Sequence, residues 1–228
     1  MGRVLLVRHG QASWGSDDYD VLSPTGWEQS RLLGRALASR LDPERLLLAR
    51  GGLRRHRETL DGVVDGAGWS PGAVEVHVDA GWDEFDHLGV LAHHGDDPDA
   101  AAAGEDRAAF QAWFERSTMA WATGTGTADY AETYAAFLAR TEAALRAVVG
   151  RAEGRDAVVV TSGGVVAACA SALLDLGEDA GVRARAWNRL NTVVVNSAVT
   201  TLVVGRRGTT LVSFNEHVHL EGGPLTYR

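Results

Sequence analysis

The feature that most constrains the fold is a repeated order of short apolar strand, turn and helix. The stretch "RVLLVR" (residues 3–8) has an apolar middle, which is typical of a strand buried on both faces of a parallel sheet. The following "LSPTGWEQSRLLGRALASRL" (22–41) carries helix-start signals at Ser23, Pro24 and Glu28. The order returns in "DAVVVTSGGVVAACASALLDLG" (156–177). Alternating strands and helices predict a three-layer αβα sandwich with a mainly parallel central sheet.

Further segments extend this pattern. "RLLLAR" (45–50) predicts a second buried strand, and "VEVHVD" (74–79) alternates like a strand at a sheet edge. "DYAETYAAFLARTEAALRAVV" (129–149) predicts a strong helix, with Asp129 and Glu132 in capping positions. Two C-terminal strands are expected on either side of an Arg-Gly turn at 207–208.

The length of 228 residues, 45% of them hydrophobic, suits a single domain spanning 1–228. Between about 89 and 127 the sequence becomes acidic and small and then aromatic, which predicts a lid-like helical insertion over the active site. Four aromatic residues there share one helical face, and core packing explains them better than ligand contact: Phe110, Trp113, Phe114 and Trp121.

Composition excludes several classes of function. The net charge of −8 disfavours a nucleic-acid-binding surface, and all 22 basic residues are arginine, which excludes lysine-based chemistry. The lone Cys169 cannot form an intramolecular disulfide. With no leader or long apolar run in the sequence, we expect no membrane contact and a cytoplasmic location.

Two groups of polar residues follow the predicted strands. Arg8, His9 and Gly10 come after the first strand, and Ser162 with Gly163 comes after the strand at 156–161. Because ligands of open α/β sheets bind outside the carboxyl ends of the strands, the two groups are expected to face each other. Arginine matches phosphate oxygens, and an imidazole can act as a nucleophile or a base. An Arg-His-Gly sequence alone is equally compatible with a structural histidine.

The surrounding sequence adds a family resemblance. "LLVRHGQASWGSDDYDVLSPTGWEQS" resembles the start of the histidine phosphatase superfamily, in its phosphoglycerate mutase-like branch. "RGGLRRHRET" is similar to the family's second arginine motif, and "DAGWDEFDHLG" to its proton-donor motif. "FNEHVHL" near the end also looks like a family pattern.

The resemblance implies a mechanism without metal or cofactor. It assigns His9 as the nucleophile, Arg8 and Arg55 as phosphate ligands and Glu84 as the proton donor to the leaving group. A donor must hold its proton, so we expect burial to raise the pKa of Glu84. Arg54, Arg55 and Arg57 would otherwise be interpreted as a solvated charged face, and Glu84 as a surface acid.

The sequence departs from the family at its fourth motif, where Ser162 stands in the position of a second histidine. Ser162 and Gly163 at the following helix start are expected to bind phosphate, although helix capping explains them equally well. His56, beside Arg55, is a second source for the missing imidazole, but an odd step along a helix usually points elsewhere. A serine-hydrolase role for Ser162 is less favoured, because "TSGGV" lacks the glycine that a nucleophile elbow needs.

The function predicted from these residues is a phosphomonoesterase that hydrolyses a small phosphorylated metabolite through a phosphohistidine on His9. Reduced efficiency is expected because Ser162 replaces a histidine. The alternative is a pseudophosphatase that binds phosphorylated ligands without turnover, while mutase and serine esterase activities rank lower. The expected partner is the small substrate, with no nucleic acid and no membrane, and a homodimer is compatible with the sequence.

Overall fold

The computed structural model describes residues 2–13, 20–70, 72, 74–104, 106–124, 129–177 and 179–227. Within these ranges the strands are β1 (Gly2–Arg8), β2 (Leu46–Arg50), β3 (Val76–Val78), β4 (Asp156–Thr161), β5 (Val199–Gly205) and β6 (Gly208–Glu216). The helices are α1 (Pro24–Ala38), α2 (Arg54–Ala67), α3 (His87–Ala92), α4 (Arg107–Thr123), α5 (Tyr134–Arg151), α6 (Gly163–Ala172) and α7 (Ala180–Val193).

The six described strands form one sheet in the order β3-β2-β4-β1-β5-β6. β1 to β4 run parallel, whereas β5 is antiparallel to β1 and forms a hairpin with β6. The hairpin turns at Arg206 and Arg207, one residue before the predicted 207–208. Gly208, the first residue of β6, has a φ of 110°, which suits glycine. β3 lies at the edge, as its alternating pattern predicts.

Side chains of β1 alternate between two cores. Leu5 and Val7 pack with the helices α1 and α2, while Val4 and Leu6 belong to the larger core on the opposite face. That second core includes residues of α5, α6 and α7, among them Phe137, Val166 and Trp187. Helices therefore cover both faces of the sheet, and the predicted αβα sandwich with a mainly parallel sheet is confirmed.

Local signals at the two long helices have different outcomes. Ser23 is the N-cap of α1, and its side chain accepts a hydrogen bond from the amide of Gly26. The predicted capping of α5 by Asp129 and Glu132 is wrong, because Thr133 is the N-cap and Glu132 instead forms an ion pair with Arg140.

The segment from 89 to 127 contains most of α3 and all of α4, and its residues 105 and 125–127 lie outside the described ranges. α4 packs against α3, α5 and α7. Trp121 is buried and stacks on Phe85, so the end of the aromatic stripe is core, as expected. The role of the 89–127 segment as a lid stays a prediction, and so do the boundaries of the single domain. No helix among the described residues is long and apolar enough to cross a membrane.

Candidate active site

His9 follows β1 and is almost fully buried, with 6% of its surface exposed. Its backbone amide donates to the carbonyl of Thr161, which continues the pairing of β1 with β4. Nδ1 of its ring lies 2.7 Å from the carbonyl oxygen of Gly10. A carbonyl only accepts, so Nδ1 carries the hydrogen and Nε2 of the neutral ring has a free electron pair.

The environment of His9 favours this neutral form. Burial lowers the pKa of His9 well below its ordinary value, and the positive charges of Arg55 and Arg8 lower it further. The side-chain amide of Asn196 donates to the carbonyl of His9, and Thr59 accepts from the amide of Gly10. The loop that carries the imidazole is therefore held from two sides.

Arg8 and Arg55 lie near His9 on different elements. Nη1 of Arg8 donates to the carbonyls of Val194 and Tyr227, which fixes the guanidinium at the end of β1. Arg55, in the first turn of α2, is 6% exposed and forms a 2.7 Å ion pair with Asp20. The side chain of Arg55 is therefore buried, whereas that of Arg54 is 48% exposed, and the role of Arg55 as a phosphate ligand stays a prediction.

Glu84 reaches the start of α6. Its Oε2 accepts a hydrogen bond from the backbone amide of Gly164 at 3.1 Å. The carboxyl group can approach this closely because residue 164 has no Cβ, which would overlap it. Burial raises the pKa of Glu84, and this effect exceeds the opposing effects of the Gly164 hydrogen bond and of Arg55. The expected direction of the pKa shift is confirmed.

Ser162 is the N-cap residue of α6 but makes no side-chain capping bond. Its Oγ lies 2.7 Å from Nε2 of His56, and both residues are fully buried. The expectation that His56 points elsewhere is therefore wrong. α2 begins at Arg54, so a residue in its first turn can face the end of β4, and the His56 ring lies 5.8 Å from that of His9 between centroids.

Asp83 lies on the other side of His56. Its Oδ1 is 3.6 Å from Nδ1 of His56 and accepts from the amide of Gly52 at 2.6 Å. Burial alone would raise the pKa of Asp83, but the contacts with His56 and Gly52 lower it overall. Any Cβ on Gly51 would overlap both His56 and Asp83, so glycine is required where these two groups meet.

The helix start at Gly163 completes the arrangement. A Cβ on Gly163 would lie 3.5 Å from Nε of Arg8, which places the first turn of α6 beside the arginine. Arg8 and His9 thus lie at the end of β1, Arg55 lies in the helix after β2, and Ser162 and Gly163 follow β4. Glu84 bonds to the neighbouring Gly164, and the charges of Arg8 and Arg55 act on both His9 and Glu84.

Sequence reasoning missed two acids and one amide that hold these residues: Asp20, Asp83 and Asn196. Asp83 directly precedes Glu84, so a motif that identified one acid contained the other. Asp20 and Asn196 had no comparable signal, because each acts through a contact between distant segments.

Comparison with known proteins agrees with this architecture. The family model "Histidine phosphatase superfamily (branch 1)" matches residues 4–217. The chain therefore belongs to the histidine phosphatase superfamily. None of the curated proteins matches it.

Solved structures share the fold at low sequence identity. Bacillus stearothermophilus YhfR is 19% identical with a TM-score of 0.66, over 96% of this chain and 99% of its own. A mycobacterial glucosyl-3-phosphoglycerate phosphatase is 23% identical with a TM-score of 0.62, over 94% and 99%. A phosphoserine phosphatase mutant from Entamoeba histolytica is 18% identical with a TM-score of 0.60, over 96% and 100%.

Proposed function

We propose that the protein is a metal-independent phosphomonoesterase that hydrolyses a small phosphorylated metabolite through a phosphohistidine on His9. The observation that carries this proposal is the fixed tautomer of a neutral, buried His9. With Nδ1 bonded to the carbonyl of Gly10, the electron pair of Nε2 is free to attack phosphorus.

The first step forms the bond between Nε2 of His9 and phosphorus while the bond from phosphorus to the substrate oxygen breaks. Glu84 gives its proton to the departing oxygen, and its raised pKa makes the protonated form available. Arg8 and Arg55 stabilise the charge on the transferring group. In the second step water attacks phosphorus, gives a proton to Glu84 and releases phosphate and free His9.

The names of the structural neighbours support the reaction class but leave the substrate open. One is described as a phosphatase of glucosyl-3-phosphoglycerate and another as a phosphoserine phosphatase. Their identities of 23% and 18% carry the fold alone, so we infer only a phosphorylated small molecule.

The test is trapping of the intermediate. We expect rapid quenching with p-nitrophenyl phosphate to add one phosphoryl group that is stable to alkali, labile to acid and located on His9 by mass spectrometry. His9→Ala should abolish labelling and turnover, while His93→Ala, which changes an exposed histidine, should leave both unchanged.

Two other outcomes identify the alternatives. Phosphate binding without labelling or turnover would contradict the proposal and favour a pseudophosphatase. Hydrolysis of carboxylic esters that survives His9→Ala would favour a serine esterase. That outcome is not expected, because Ser162 is fully buried and Glu84 occupies the amide of Gly164 that an oxyanion hole would use.

A further inference from the structure

Ser162, His56 and Asp83 form a row beside His9, in which Ser162 and His56 are fully buried and Asp83 is partly exposed. The contacts are 2.7 Å from Oγ of Ser162 to Nε2 of His56 and 3.6 Å from Nδ1 of His56 to Asp83. His56 has no exposed surface, and its ring centroid lies 5.8 Å from that of His9. The row brings an imidazole next to the nucleophile from α2, although the strand-end position 162 holds a serine.

The charge of Asp83 favours one tautomer of His56. Oδ1 of Asp83 is 3.6 Å from Nδ1, too far for a hydrogen bond, and Nδ1 has no hydrogen-bond partner among the described residues. The nearby negative charge favours the tautomer with its hydrogen on that nitrogen. Nε2 then has a free electron pair and accepts from the hydroxyl of Ser162. Burial lowers the pKa of His56, which favours the neutral ring at rest.

The same neighbours also suit a protonated ring. A hydroxyl rotates to suit its partner, so Ser162 can accept from Nε2–H as readily as it donates to the bare nitrogen. Asp83 would then face a positive charge at Nδ1. Ser162 can therefore bond to Nε2 of His56 in either protonation state. An alanine at position 162 would remove this hydrogen bond in both states.

We propose that His56 is a positioning residue that takes up a proton when the phosphate site fills, and so places a positive charge beside the phosphorylated His9. This rests on the proposed function of the site. The proton comes from solvent and forms the Nε2–H bond of His56, while the hydroxyl hydrogen of Ser162 turns away. No other bond changes.

The charged groups around His56 determine when this happens. Burial lowers the pKa of His56, Asp83 and Asp20 raise it in part, and Arg55 lowers it. His9 and Arg8 at the end of β1, Glu84 before α3, and His87 on α3, whose pKa burial and Arg55 lower, are further ionisable groups among the described residues near the site. A dianion bound among these groups adds two negative charges, which favours the imidazolium.

The first experiment observes the ring directly by nitrogen NMR of protein labelled at histidine, with inorganic phosphate as the probe. The His56 signal is assigned by its loss in His56→Gln. We expect a neutral ring with hydrogen on Nδ1 in the free protein and an imidazolium in the phosphate complex. A ring that stays neutral with phosphate bound would overturn the proposal.

The second experiment counts protons by calorimetry of phosphate binding at pH 8 in buffers of different ionisation enthalpy. Wild type should take up about one proton more than His56→Gln, whose affinity for phosphate should be about 10–100-fold weaker. Ser162→Ala should reduce the uptake, whereas Ser171→Ala, a partly buried serine near the far end of α6, should not. Glu84→Gln is measured alongside, because Glu84 also binds protons.

Equal uptake by wild type and His56→Gln would contradict the proposal. If His56→Gln does not fold, Asp83→Asn provides the same comparison, because it removes the negative charge and keeps the shape. Repeating the titration with His9→Ala, which cannot form a phosphohistidine, separates proton uptake by His56 from the proposed function. Phosphohistidine without proton uptake overturns only this inference, uptake without phosphohistidine overturns only the proposed function, and no phosphate binding overturns both.

Discussion

In the proposed mechanism, Glu84 must meet two requirements that oppose each other. A proton donor needs a raised pKa, and burial near α6 raises it. The same burial makes the ionised carboxylate unfavourable in the folded state. Because its folded pKa lies above the unfolded value, Glu84 contributes stability below the unfolded pKa and loses it as pH rises through the folded pKa.

We therefore expect Glu84→Gln to raise the melting temperature at pH 8 while it slows the reaction. Glutamine keeps an oxygen for the amide of Gly164 but has no charge to bury. Phosphorylation of His9 should slow by about two to four orders of magnitude for alkyl phosphates and by less for aryl phosphates, whose leaving groups need little protonation. Calorimetric unfolding and stopped-flow kinetics test the two effects, and equal losses for both substrate types would contradict the donor role.

At the residue scale, sequence motifs identified site residues that lie next to turns. They did not identify residues whose contacts join segments that are distant in the sequence. His9 and Arg55 lie in short motifs that are visible in the sequence itself. His56 lay in the same pattern, yet its contact with Ser162 depends on how α2 meets β4. Helical periodicity does not give that distance.

At the scale of elements, glycines set how closely α1 and α2 approach. A Cβ on Gly34 would overlap the backbone carbonyl of Val63, and one on Gly66 would overlap that of Arg31. Gly62 faces Ser30 in the same interface. These helices carry Gln29, Arg55, His56 and Thr59, so their spacing positions the site.

We expect Gly34→Ala to destabilise the protein by about 1–3 kcal/mol, because the helices must separate to admit the methyl group. Gly150→Ala in α5 is the matched control, since nothing lies within 4 Å of its Cβ position. The control should be neutral or stabilising by up to about 1 kcal/mol. Urea unfolding measures both, and equal stability of the two variants would refute the role of Gly34.

The helices themselves were predictable because capping residues and apolar periodicity are local. Ser23 began α1 as its sequence suggests, but Thr133 replaced Asp129 and Glu132 at α5. Three polar candidates within five residues compete for one cap. The ion pair of Glu132 with Arg140, which forms along the folded helix, helps to decide between them.

At the scale of the whole molecule, four histidines favour the neutral form: His9, His56, His87 and His219. Burial is the first cause for each, and it lowers the pKa of His219 to about 4. Their folded pKa values lie below the unfolded value of about 6.5, so the unfolded chain binds protons first as pH falls.

We expect the free energy of unfolding to fall as pH drops from about 6.5 to about 4. His219→Gln should reduce that loss by up to about 3 kcal/mol, because glutamine does not titrate. Ser117→Ala, at a buried residue that does not titrate, is the control and should leave the pH dependence unchanged. Guanidinium unfolding at several pH values measures this, and identical profiles for wild type and His219→Gln would contradict it.

The parallel core of the sheet was predictable because buried strands in the middle of such a sheet are apolar throughout. The strand order was not, since it depends on which crossover connections pack best. Sequence order places β2 after β1, whereas the sheet inserts β4 between them.

That insertion has a consequence for the growing chain on the ribosome. β1 is made first, but its neighbours are β4 and β5, and Arg3 bonds to Asp156, which lies 153 residues later. At about 5–20 residues per second, β1 waits roughly 8–30 s for its first partner. During that time its apolar run is a target for chaperones, and His9 is an ordinary hydrated imidazole. The nascent chain should therefore gain the proposed phosphate chemistry only late in translation, when β4 and β5 pair with β1.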